Sequence, residues 1–195
     1  MSNDDQKQHA YWGIWLISVV LVFFCIIVYS GRNNAPKESK AVSSKTEAQH
    51  SGLTTGQKNA LDSANSYIRH SAFSHDGLID QLEYEGYTTA EATFAADNCG
   101  ADWNDEALQK AKSYLKHSAF SQSGLIEQLE YEKFTTEQAT YAVSNCGADW
   151  KEQAAKCAES YLKHSSFSRE RLIDQLIYEG FTRAQAVYGV EANGY

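Results

Sequence analysis

The stretch "YLKHSAFS" at 114–121 is written three times, as "YIRHSAFS" at 67–74 and "YLKHSSFS" at 161–168, each start 47 residues after the last. Between 66–103 and 113–150, 26 of 38 positions are identical. The third copy, 160–195, keeps the pattern but ends in "ANGY" where the others read "NCGADW". A tandem repeat decides architecture before any single residue does, because each unit must bury its apolar face within itself or on a neighbour.

Each copy reads as three helices. The first carries Trp103, Ala107, Leu108, Ala111, Tyr114 and Leu115 as one apolar stripe at helical spacing. Asp102 and Asp149 mark its start, the latter with Glu152 three residues on, and Thr55 holds the same place in copy one. The second helix follows Ser74, Ser121 or Ser168 and buries Leu78, Ile79 and Leu82 or their equivalents. Gly86 and Gly180 end it, as residues free to turn left-handed do; Lys133 at that place predicts a cost of about 1 kcal/mol if the turn is kept. Capping boxes at Thr88–Glu91, Thr135–Gln138 and Thr182–Gln185 open the third helix, whose inner face is Ala92, Ala95, Ala96 and Cys99. Phe73, Phe120 and Phe167 plug the corner between first and second helices, and the Ser after each caps the next.

Upstream, "YWGIWLISVVLVFFCIIVY" (11–29) is 19 residues without a charge, long enough to span a bilayer. A cleaved signal peptide is the rival; the ten-residue tail before the span has two Asp against one Lys, not a basic leader. Cys25 follows Phe23-Phe24, too bulky for a lipidated cysteine. The expected layout is all-α: tail 1–10, transmembrane anchor 11–29, flexible linker 30–53, and repeats at 54–102, 103–149 and 150–195. A linker of that length keeps the repeats within roughly 25–30 Å of the membrane. One Lys before the span against Arg32, Lys37, Lys40 and Lys45 after it favours a cytoplasmic placement by the positive-inside tendency.

From Leu53 onward 21 acidic residues face 12 Lys and Arg, a net of about nine negatives. Such a surface repels a phosphate backbone, so nucleic acid is not an expected partner. His70, His117 and His164 fall in the last helical turn beside a Lys or Arg, where positive charge complements the helix dipole, and no nucleophile–base pair accompanies them. Cys99, Cys146 and Cys157 cannot all pair and show no C-x-x-C; buried thiols are the first reading, a bridge or a metal site the others. No enzymatic activity, metal or cofactor is expected.

Two aromatic sets escape the core account. Tyr84, Tyr131 and Tyr178 lie about 200° around their helix from the buried Leu. Phe94, Tyr141 and Tyr188 oppose the alanine face of the third helix. They pack one repeat on the next, or they form a partner-binding surface among acids such as Glu83, Glu85, Glu130 and Glu132.

The pattern "YLKHSxFS…GLIxQLxYExFTxEQAxYAVxNCGADW" resembles the helix-turn-helix-like repeat of the Ltp-type host cell surface-exposed lipoproteins, over essentially 56–195. The resemblance implies a cell-surface location, with the repeats outside despite the charge count. For prophage-encoded members it implies superinfection exclusion, by acting at the membrane on the injection machinery of a second phage, with tail components as partners. Two departures stand out: a transmembrane helix replaces the family's lipid anchor, and the third copy lacks "GADW". A membrane-tethered scaffold for a host envelope partner, without a phage role, is the alternative.

Overall fold

The computed structural model describes residues 52–195; the expected tail, membrane span and most of the linker lie outside them. No helix among the described residues is long and apolar enough to cross a membrane. Three repeats of three helices make up the described fold. The first has α1 (Thr55–His70), α2 (His75–Tyr84) and α3 (Thr89–Asn98). The second has α4 (Trp103–His117), α5 (Gln122–Tyr131) and α6 (Thr136–Asn145). The third has α7 (Trp150–His164), α8 (Arg169–Tyr178) and α9 (Arg183–Glu191).

Local chemistry places the helix ends. Ser74, Ser121 and Ser168 accept the amide three residues on, and all three Thr capping boxes form. Copy one departs from expectation: its cap is Thr54, not Thr55, because the Thr54 hydroxyl accepts from Gln57 N while the Gln57 side chain accepts from Thr54 N at 3.0 Å. A capping box satisfies two orphan amides where the Thr55 position would satisfy fewer. The second helices end as expected in left-handed residues, Gly86 (φ 96°), Lys133 (φ 68°) and Gly180 (φ 88°). The bonds Lys133 N→Glu130 O (2.8 Å) and Phe134 N→Leu129 O (3.1 Å) define a Schellman turn around the lysine. Its ammonium pairs with Asp80 of the first repeat, an exposed contact that offsets little of the backbone cost.

Each repeat has its own core, in which first and third helices make the largest contact. Alanines dominate that contact: Ala60, Ala64, Ala92, Ala95 and their equivalents are sealed from solvent. The second helix adds Leu78 and Leu82, Leu125 and Leu129, or Leu172, Ile173 and Leu176. Phe134 and Phe181, just after the Schellman turn, are buried as well, a core position that the periodicity of the helices does not reveal. At Gly189 the third repeat is tighter than a methyl allows, since an added Cβ would stand 2.7 Å from the Ala154 backbone. Gly189→Ala should therefore cost about 1–2 kcal/mol, the overpacking penalty exceeding the gain in helix propensity. A thermal melt of the variant with a raised midpoint would contradict this.

Repeats join through a recurring set of contacts. The Ser74 hydroxyl accepts from Gly77 N and donates to the Glu132 carbonyl of the next repeat; Ser121 does the same with Glu179. The Phe73 amide donates to Glu106 Oε2 at 3.2 Å, and the Phe120 amide to Gln153 Oε1 at 3.4 Å. Trp103 and Trp150 belong to the expected first-helix stripe only by spacing. Their rings lie instead on the cluster of the preceding repeat. At the first helical position the Cα–Cβ bond tilts toward the N-terminus, so the side chain reaches past its own helix.

The two junctions differ in charge. His75 contacts Asp76 and Asp97 at 2.9 Å each and stands edge-on to Trp103, ring centroids 5.3 Å apart. Burial works against its charged form, but the two carboxylates together raise its pKa. Glu106 is 6% exposed, and burial lifts its carboxyl above the usual range against the pull of the Phe73 amide and Lys110. A carboxyl raised on folding contributes fully below its unfolded value, and that contribution is lost as pH rises through the folded value. Glu106→Gln, which copies Gln153, should therefore gain roughly 0.5–1 kcal/mol near pH 7 and nothing near pH 3. Urea melts at the two pH values decide it, and equal effects at both would refute the assignment.

Candidate interaction surface

The "YLKHS" tyrosines build a polar lock in every repeat. Tyr67, Tyr114 and Tyr161 donate to the carboxylates of Glu85, Glu132 and Glu179, and accept from Gln81 (3.2 Å), Gln128 (3.2 Å) and Gln175 (3.1 Å). Each ring stands edge-on to the following Phe, with centroids 5.5 Å apart for Tyr67–Phe73 and Tyr114–Phe120 and 5.6 Å for Tyr161–Phe167. Burial, then the facing carboxylate, pushes Tyr67 up to about 12, and Tyr114 and Tyr161 also rise. These phenols stay neutral and donate; the lock joins first and second helices. Sequence reasoning missed it, although Tyr, Gln and Glu recur at one spacing in all three copies.

Two of the repeated histidines bond within their own helix. His70 and His117 donate from Nδ1 to the Ser66 and Ser113 carbonyls at 2.8 Å, closing the last turn. Cys99, Cys146 and Cys157 are free thiols, and burial pushes Cys157 up to about 12, far from a reactive thiolate.

The second helices end in the most exposed large hydrophobic side chains among the described residues. Tyr84 is 73% exposed, Tyr131 66% and Tyr178 50%. Helical geometry puts each two residues past a buried Leu, on the far side of its helix, and the Schellman turn follows at once. At that exposure, half or more of each side chain stands open to solvent. Of the acids expected around them, Glu85 and Glu132 serve the polar lock and Glu130 accepts from the Thr136 hydroxyl at 2.6 Å. Only the Glu83 carboxylate of these four has no bond among the described residues. In the third repeat Ile177, exposed, replaces that acid and widens the apolar patch beside Tyr178.

The third-helix set divides. Phe94 is half-buried and Tyr141 exposed. Tyr188 donates to Glu152 at 2.7 Å and lies under Lys151 Nζ, 5.6 Å from its centroid. It fastens α9 to the start of α7 within one repeat. Among the described residues no group of His, Cys, Asp and Glu is arranged to hold a metal ion.

A family model described as "host cell surface-exposed lipoprotein" matches at 55–99, 102–146 and 149–192, one match to each repeat. No curated protein matches the chain. Among solved structures, that of Ltp, a superinfection exclusion protein from the Streptococcus thermophilus temperate phage TP-J34, is similar at 33% identity. The match covers 48% of this chain and 97% of that one, with a TM-score of 0.46. With three matches that together span most of its length, the chain belongs to the host cell surface-exposed lipoprotein family.

Proposed function

We propose that the chain is a surface-held binding protein, not an enzyme, and that it acts in superinfection exclusion by engaging a protein of the incoming phage's injection machinery. The single observation that carries the binding role is the row of exposed tyrosines, one at the same position in each repeat. Tyrosine supplies large contact area at low entropy cost and is over-represented among interface hot spots. Family membership supports the surface location and the exclusion role. The net negative charge favours a partner with a basic surface. Residues 11–29 would hold the repeats at the membrane in place of a lipid, with the repeats outside.

Two measurements test this. Protease added to intact protoplasts should digest the repeats, and protection until lysis would reject an external position. In cells making the chain, phage adsorption should be unchanged while entry of phage DNA falls; undiminished entry with the repeats displayed would reject exclusion and leave the envelope-scaffold reading.

A further inference from the structure

The repeats act as internal controls on one another: what all three share serves the fold, and what one alone carries needs another reason. The junction of the second and third repeats holds an open groove of about 340 Å³ that includes Lys112, Lys116 and Lys156 in its lining. None of the three is paired with a carboxylate among the described residues. The two acids in the lining accept hydrogen bonds from within the third repeat. Asp149 caps α7 by accepting from Lys151 N at 2.9 Å, and Glu152 accepts from the Tyr188 hydroxyl at 2.7 Å.

The other copies show that the fold does not need these lysines. At the junction of the first and second repeats the same three positions are Asn65, Arg69 and Gln109. In α7 the positions of Lys112 and Lys116 are Glu159 and Lys163, which form an i,i+4 ion pair at 2.8 Å. The second repeat has two like charges there instead, an arrangement that destabilises a helix. A net-negative chain thus sets three cations against two carboxylates around one concavity, a local excess of positive charge.

We propose that this groove binds a phosphate-bearing anion, with the three ammonium groups sharing its charge. Lysine suits the task as a compact point charge with three donors. The ligand class is a phosphate ester or diester at the cell surface, from anionic lipid headgroups or from soluble phosphates.

Amine acylation followed by peptide mass spectrometry tests the site on the full chain. The chain is held in neutral detergent with or without inorganic phosphate, or in vesicles with or without phosphatidylglycerol in phosphatidylcholine. Phosphate or phosphatidylglycerol should slow acylation at Lys112, Lys116 and Lys156 but not at Lys58 or Lys163. Protection in the phosphate arm identifies a free-ion site, and protection only with phosphatidylglycerol identifies the headgroup. In K112Q/K156Q, Lys116 should return to its unprotected rate and vesicle-induced protection should need on the order of a hundredfold more anionic lipid. No protection in either arm, equal protection at every lysine, or protection that persists in the double variant would overturn the assignment.

Discussion

Replacing Tyr84, Tyr131 and Tyr178 together by Ser should abolish phage protection while stability changes by no more than about 0.5 kcal/mol per site. The stability half rests on exposure, since side chains 73%, 66% and 50% exposed have limited burial to lose. Were the rings packed between repeats, each truncation would cost roughly 3–5 kcal/mol and the triple variant would unfold. Single variants should lose protection partially: three similar sites on one scaffold bind an extended partner by avidity, so removing one lowers effective concentration without removing contact. DNA-entry assays beside urea melts of the same variants give both quantities. Full protection by a triple variant of normal stability would remove this row from the function.

Trp103→Ala should cost about 3 kcal/mol and free the first repeat from the other two. The ring packs against the buried cluster of the preceding repeat and stands at 88° to His75, centroids 5.3 Å apart. Hydrogen exchange should therefore show lost protection in α1–α3, with α7–α9 unchanged. Trp150→Ala should move the same effect to α4–α6. A loss spread evenly over the nine described helices, or one below about 0.5 kcal/mol, would mean that the rings are bystanders.

The helices, their caps and the three-fold architecture were legible in the sequence because they rest on local signals. A Ser or Thr with a partner three residues on, a Gly where the backbone must turn, and alanines at helical spacing all act within one turn. What stayed hidden was long in sequence and short in space. The Tyr67–Glu85 bond spans 18 residues and the Ser74–Glu132 bond 58, and no periodicity carries either. Trp103 misled for a geometric reason, because spacing assigns a residue to a face of its own helix while the first position points off the end. For the candidate surface, the phase of Tyr84, Tyr131 and Tyr178 was readable, but their exposure was not. Glu85, Glu130 and Glu132 looked equally available and are held by neighbours.

The Trp that lids each of the first two cores also sets an order of events as the chain is made. The first repeat has all three of its helices once Asn98 has been added, yet its core stays open until Trp103 follows. The second repeat likewise waits for Trp150, the first residue of α7. Domains fold from the N-terminus during synthesis, so each of the first two units is finished by the opening residue of its successor. A nascent array of this kind always carries one incomplete core at its growing end, and the burden of shielding it passes forward one repeat at a time.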